Sequence, residues 1–233
     1  MRCNCDYTKS VRKGSFFAHG CLSMKDQMKI MSCFVSDVTV SATARLLNIS
    51  RPTVTQYYDN LRGEIYDYLQ ENPISFTEGD EFEVDECLLK HVWFSKNRRH
   101  KIQWIGGILE RESGKVLLYR IDDRSAASLI PPILEHVPPG VWVYSDELTS
   151  YHRLYNHPYV HFTVNHSKLE YARIENFCDR EVNVHINTLE GVNREIRRRF
   201  SNKSCRKIER IDLTLSEIMY RRSGVDLYYP FKY

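Results

Sequence analysis

Three carboxylates stand in three different local settings of this 233-residue chain: Asp85 in Phe82-Glu83-Val84-Asp85-Glu86, Asp146 in Trp142-Val143-Tyr144-Ser145-Asp146, and Glu190 in His185-Ile186-Asn187-Thr188-Leu189-Glu190-Gly191. The first two follow short β-patterned runs, and the third opens a strongly basic helical stretch. Acids brought from distant parts of a sequence to one point form a centre for cutting or joining phosphodiesters. Two hard divalent cations, Mg²⁺ or Mn²⁺, take oxygen ligands there. One activates the attacking water or 3′-hydroxyl while the other stabilises the leaving oxygen. Arg197 lies seven residues beyond Glu190, about two turns at 3.6 residues per turn, so the same helix face could hold a phosphate beside the metals.

Each acid alone has a plainer reading. Glu81, Glu83 and Asp85 share one strand face and could be its solvated side, with Glu86 on the opposite face as the second choice for the first ligand. Asp146 and Glu147 could be turn residues, and Glu190 an ordinary acid at a helix N-terminus. Three acids in the right elements outweigh those separate explanations.

The elements that must position them follow from periodicity. Phe82 and Val84 alternate with Glu81, Glu83 and Asp85, the pattern of a half-buried strand with Asp85 at or near its end. Residues 102–109 form a second strand, the turn Arg111-Glu112-Ser113-Gly114 follows, and 115–121 form a third. Residues 125–136 are helical, with Ala126, Leu129, Ile130, Ile133 and Leu134 on one face and Ser125 as cap. Pro138-Pro139-Gly140 ends that helix. Residues 141–145 make a fourth strand that delivers Asp146 at its carboxyl end, where ligands gather in α/β sheets, and 159–164 make a fifth. Residues 187–200 form the basic helix. The order predicts an α/β fold of ribonuclease-H-like type, a mixed five-stranded sheet with flanking helices, by analogy of element order.

A small helical region precedes this core. Met24, Met28, Ile30, Met31, Phe34 and Val35 recur at near-helical spacing. Residues 39–58 then read as two helices around a tight turn at Asn48-Ile49, with Ala44 and Leu47 inward, Ser50 as N-cap and Pro52 in the first turn of the second helix. This is a helix-turn-helix arrangement, whose second helix would offer Arg51, Thr53, Thr55 and Gln56 to the major groove; a plain helical hairpin is the alternative. Three regions are expected: an arm at 1–22, a helix-turn-helix domain at 23–76 and a catalytic domain at 77–233, with 77–80 as linker.

Composition restricts the class. The net charge is only +3, but Arg194, Arg197, Arg198, Arg199, Lys203, Arg206, Lys207 and Arg210 crowd one segment, and Arg98, Arg99, His100 and Lys101 another. Seven cysteines without a regular framework suggest reduced thiols inside a cell. Cys3 and Cys5 are too few for a whole zinc site, Cys178 and His185 lack a paired knuckle, and no G-x-S-x-G occurs. No apolar run approaches the ~18 residues of a membrane span, and the N-terminus lacks the apolar region of a secretory signal. Asn165-His166-Ser167 and His185 are further polar clusters that could touch DNA or orient a metal ligand.

Val84-Asp85-Glu86, Tyr144-Ser145-Asp146-Glu147 with Tyr151, Val164-Asn165-His166-Ser167, and His185 to Gly191 followed by Arg197 together resemble the DDE transposases of the Merlin type and their bacterial ISXO-type insertion-sequence relatives. The resemblance spans roughly residues 10–220. It implies a cut-and-paste enzyme with Asp85, Asp146 and Glu190 as metal-holding triad, nicking double-stranded DNA at terminal inverted repeats and joining the freed 3′ ends to target DNA. It also implies a homo-oligomer on paired ends, DNA contacts from Arg194 and Arg198 on the basic helix, no membrane, and a nuclear location in a eukaryote or a cytoplasmic one in a bacterium. Arg197 stands where such proteins commonly have lysine, which keeps charge but changes geometry. Their usual zinc ribbon is represented only by Cys3 and Cys5, and Val192-Asn193 stands where an aromatic usually follows the glutamate. A domesticated or decayed copy that binds DNA without cutting it, and a nuclease or resolvase that joins nothing, are the competing readings.

Overall fold

In a computed structural model, residues 12, 15–18, 22–76, 79–94, 99–165, 172–201 and 208–231 are described. The chain forms two compact units, Met1–Tyr68 with Val225–Tyr233, and Leu69–Gly224. Cys3, Cys5, His166, Ser167, Lys203, Cys205, Arg206, Lys207 and Arg98 lie outside the described residues.

The first unit contains α1 (Met24–Val35), α2 (Val40–Leu47) and most of α3 (Arg51–Glu71). Each start is capped by a hydroxyl. Ser23 accepts the Asp26 N–H at 3.1 Å, Thr39 the Ala42 N–H at 3.3 Å, and Ser50 the Thr53 N–H at 3.3 Å. Asn48 ends α2 in the left-handed region with φ 53°, and Ile49 N–H returns to the Ala44 carbonyl at 3.1 Å. The core is Ile30, Met31, Phe34, Val54, Tyr57, Tyr58, Leu61 and Ile65. Ala44 and Leu47, expected inward, are only half-buried; the fully buried residue of α2 is Thr43. Its hydroxyl meets Tyr58 Oη at 2.8 Å, and that phenol donates to the Val38 carbonyl at 2.8 Å, so the polar pair satisfies itself inside the core.

The second unit is built on a five-stranded sheet in the order β3-β2-β1-β4-β5, made of β1 (Glu81–Phe94), β2 (Arg99–Glu110), β3 (Val116–Ile121), β4 (Trp142–Asp146) and β5 (Val160–Val164). The pairs β1–β2 and β2–β3 are antiparallel, while β1–β4 and β4–β5 are parallel. This is the ribonuclease-H-like arrangement that the element order predicts. One face packs on α4 (Ala126–His136) and the 3₁₀ segment Thr149–Asn156 through Phe82, Val84, Ile108, Leu129, Ile133, Val143 and Tyr151. Leu134 does not join that face, being 40 % exposed, and the hydroxyl of Ser125 makes no cap bond; Asp123 Oδ1 instead accepts the Ser125 N–H at 2.9 Å.

The other face packs on α5 (Asn187–Arg199) and α6 (Ile208–Arg221) through Leu89, Ile105, Leu118, Leu189, Val192, Ile196, Ile211 and Leu215. A hairpin of β6 (Ala172–Phe177) and β7 (Arg180–His185) covers the β4–β5 end of the same face with Val182 and Val184. Cys178 and Asp179 form its turn, both with positive φ, as a tight two-residue hairpin requires. Neither the hairpin nor α6 was expected from the sequence.

Burial of both faces corrects the first strand in two ways. Its acidic side is not solvated, since Glu83 is wholly buried. Asp85 is also not near the strand's end, because β1 continues to Phe94 on the strength of its pairing with β2. Pairing with β4 stops far earlier, at Glu83↔Tyr144. Asp85 therefore lies just past the point where β1 and β4 part, and Asp146 is the last residue of β4.

Candidate active site

Where the two parallel strands part, ligand oxygens of Asp85, Glu86 and Asp146 lie within 4.8 Å of one another. Alternation sends Asp85 towards α5 and Glu86 towards α4, while Asp146 at its strand end reaches both. A glycine of β2 stands opposite each neighbour in the ladder, Gly107 across from Asp85 and Gly106 across from Glu86. A Cβ on Gly107 would come 3.0 Å from Leu189 Cδ1, and one on Gly106 would come 2.6 Å from the Tyr119 ring. The bare backbone lets α5 close over one acid and Tyr119 over the other.

The partners of the acids differ. Both Glu86 oxygens are engaged: Oε1 by the Arg124 guanidinium, Oε2 by the buried Tyr151 hydroxyl at 2.8 Å. Arg124 also approaches Asp146 Oδ2 at 3.6 Å and lies over the Trp104 ring at 5.1 Å. Asp146 Oδ1 accepts the Leu148 N–H at 3.0 Å, which points the carboxylate back across the strand end. Asp85 Oδ2 accepts from Asn193 Nδ2 at 2.7 Å. Burial, then the charges of Glu86, Asp146 and Glu190, push the Asp85 carboxyl up to about 8. Burial also raises Glu86, against the opposing pull of Tyr151 and Arg124, and raises the Tyr151 phenol.

The carbonyl of Asp146 is held from behind. It accepts from Ser145 Oγ at 2.7 Å, and Ser145 Oγ also meets His161 Nε2 at 2.8 Å. With the hydroxyl proton committed to the carbonyl, His161 must donate from Nε2, so the ring is the neutral Nε2–H tautomer. Burial first, and then His152, hold His161 down at about 4, consistent with that assignment.

Helix α5 carries the remaining candidates. Glu190 lies in its first turn, and Asn193 three residues on touches Asp85. Glu190 is not one of the three acids within 4.8 Å, yet it is near enough to raise Asp85. Arg197 is exposed one turn further and interacts with the buried Cys87 thiol, whose Sγ also contacts the Asn193 carbonyl at 3.8 Å. Arg194 and Arg198 are exposed on the same helix.

In the first unit, Arg51 and Gln56 are exposed and Thr53 and Thr55 half-buried at the start of α3. Thr53 Oγ1 pairs with Ser50, Thr55 Oγ1 donates to the Arg51 carbonyl at 2.9 Å, and Gln56 donates to Asn60 at 2.9 Å. Of the other polar residues singled out in the sequence, Asn165 donates to Glu147, and His185 pairs with Glu83 at 3.3 Å rather than with any acid of the cluster. Cys178 and His185 sit at opposite ends of the hairpin.

Arg124 and Arg111 were not picked out by sequence reasoning. Arg124 had one available signal, its place just ahead of a helix beside Asp122 and Asp123; Arg111 had none, being read as part of a turn.

The oxygen-only donor set fits a divalent cation, and the raised Asp85 carboxyl agrees with it: burial first, and then the neighbouring acids, disfavour its charged form, and a cation would offset both. Residues 84–223 match the family model of the ISXO2-like transposase domain. Among solved structures, the chain is similar to the catalytic core domain of BIV integrase (17% identity, 66% of this chain and 94% of that one, TM-score 0.39). It is also similar to a chain of the simian T-cell lymphotropic virus intasome in complex with PP2A regulatory subunit B56 gamma (13%, 85% and 69%, TM-score 0.38) and to one of the Mos1 strand transfer complex (12%, 92% and 81%, TM-score 0.30). No curated protein matches the chain.

Proposed function

The chain belongs to the family of ISXO2-like transposase domains, DDE enzymes of insertion sequences, and from that premise we propose that it cuts double-stranded DNA at terminal inverted repeats of a mobile element and joins the freed 3′ ends to target DNA. The observation that carries this reading is the meeting of Asp85, Glu86 and Asp146 where β1 and β4 part. Glu86 has both oxygens hydrogen-bonded, to Arg124 and Tyr151, whereas side-chain and backbone donors described above engage Oδ2 of Asp85 and Oδ1 of Asp146. We assign Asp85 and Asp146 as the metal-holding pair, Glu190 as the third ligand from α5, and Glu86 as the anchor of Arg124. Bound Mg²⁺ or Mn²⁺, two ions in this reading, would activate the attacking oxygen and stabilise the leaving one.

The chain's own residues do the rest. Asn193 orients the Asp85 carboxylate, and Leu148 N–H orients Asp146. Arg197 takes the role of a phosphate clamp on the face of α5 that carries Glu190, and Arg194 and Arg198 extend that contact along the DNA backbone. Arg51, Thr53, Thr55 and Gln56 at the start of α3 read the element end, and two copies act together on paired ends. Among the described residues, no helix is long and apolar enough to cross a membrane.

Incubation with Mn²⁺ and a labelled duplex carrying the element's own terminal repeats tests the reading. Wild-type protein is expected to give nicked and joined products, and Asp146→Asn neither. Equal product from the variant would overturn it. Cleavage without joining would identify a nuclease, and retention of DNA with no cleavage would identify a binding protein.

A further inference from the structure

A second set of carboxylates lies one step along the same strands. Glu83 is wholly buried, two residues before Asp85 on the same face of β1. Its Oε1 accepts from Arg111 Nε at 3.0 Å and faces His185 Nδ1 at 3.3 Å, and its Oε2 accepts the Leu189 N–H at 2.8 Å. Arg111 spends its other nitrogens on Glu81 Oε2 at 2.7 Å, the Asn183 carbonyl at 3.2 Å and the His185 carbonyl. Its guanidinium plane lies over the Tyr144 ring at 3.6 Å, and Tyr144 Oη donates to Glu81 Oε2 at 3.0 Å.

Three members of this clasp are near neighbours, in sequence, of a proposed metal ligand. Glu83 stands two residues before Asp85, Tyr144 two before Asp146, and Leu189 one before Glu190. The three acids come from β1, β4 and α5, which are separate elements with no covalent reason to keep a fixed spacing. The β1–β4 ladder runs from Glu81↔Trp142 and stops at Glu83↔Tyr144, short of both acids, and α5 has no ladder at all. The clasp supplies what those bonds do not: Glu83 seizes an N–H of the first turn of α5, which has no partner within its own helix.

We propose that Glu83 and Arg111 are positioning residues of the reaction, a buried ionic clasp that sets the spacing of the three acids by tying β1, β4 and the start of α5 together. The proposal rests on the assignment of Asp85, Asp146 and Glu190 as metal ligands. Outer partners of metal ligands act in this way generally, and their loss lowers metal affinity about 10–100-fold. Arg111→Lys keeps the charge but cannot reach Glu81, Glu83 and two carbonyls at once.

The test uses the full chain and two measurements, Mn²⁺ titration by calorimetry and amide hydrogen exchange of the segment 186–194. In folded Arg111→Lys, Mn²⁺ affinity should fall at least about tenfold. The Leu189 amide should exchange faster while the β1–β2 ladder keeps wild-type protection. Tyr144→Phe, which keeps the ring under Arg111 and removes the hydroxyl's contacts to Glu81 and Arg111, serves if Arg111→Lys does not fold and should shift both readouts the same way by less. Unchanged Mn²⁺ affinity in a folded variant overturns the clasp, as does loss of protection spread evenly over the sheet. If wild-type protein binds no Mn²⁺, the proposed function fails, and the exchange of Leu189 alone then decides the clasp: unchanged exchange in both variants overturns it.

Discussion

Glu81, Glu83, Asp85 and Glu86 fall within six consecutive positions of a single strand, yet Glu83 and Asp85 live in opposite electrostatic conditions. Glu83 is more deeply buried than Asp85 but has Arg111, His185 and a helix N–H around it. Asp85 has Asn193 as its side-chain hydrogen-bond donor and three other acids close by. Burial depth is therefore a poor guide to which acid is under stress; the ratio of donors to negative charges decides. A satisfied cluster holds its elements in place. A crowded one strains the fold until a proton or a cation neutralises it.

Neutralising one acid in each cluster should separate them most sharply. Asp85→Asn and Asp146→Asn are expected to reduce strand transfer to background, measured with labelled element ends. Asp85→Asn should at the same time stabilise the metal-free protein by about 1–2 kcal/mol in thermal or urea unfolding, as removal of a strained functional group commonly does. A loss of stability in Asp85→Asn would erase the contrast between the clusters. In the clasp the sign reverses. Arg111→Met leaves Glu83 buried without its cation and should destabilise by about 3–5 kcal/mol in urea unfolding.

The pH dependence of the metal-free protein carries the same contrast. Asp85 titrates at about 8 folded against an ordinary 3.8, so the folded state binds the proton more tightly. Its contribution to stability is full below about 4 and is lost as pH rises through about 8, because the unfolded chain gives up that proton first. Thermal melts between pH 5 and 9 should show that fall, and Asp85→Asn should flatten it. Saturating Mn²⁺ should flatten it as well, since binding requires the deprotonated carboxylate. The smallest effect is expected at the edge of the acidic cluster: Tyr151→Phe removes one donor from Glu86 and should cost about 1–2 kcal/mol in unfolding, with Arg124 keeping the carboxylate paired.

Much of the fold was legible in local patterns. The strands at 82–85 and 141–145, the turn at 111–114 and the helical face of Leu129, Ile130 and Ile133 each depend on neighbours a few residues away, and the structure has all of these elements. The hairpin β6–β7 was not legible. It alternates weakly, most of its residues are exposed, and Cys178 and Asp179 carry a turn more often made with glycine. Helix α6 is different: Ile208, Ile211, Leu215 and Ile218 recur at helical spacing and pack in the core, so the helix was readable in the sequence and was missed, while the buried Glu217, which accepts from Arg199 and Arg221, was not foreseeable.

By itself the sequence determined the element order and placed each of three acids on a strand or a helix, because a repeat of 2 or of 3.6 residues is written in adjacent positions. Only the tertiary structure decided which acids are satisfied. Arg111 is 28 residues from Glu83, Arg124 is 38 from Glu86, and Asn193 is 108 from Asp85. Charge balance at a carboxylate is a sum over neighbours in space, and those neighbours meet only in the folded sheet with α5 lying over Gly107.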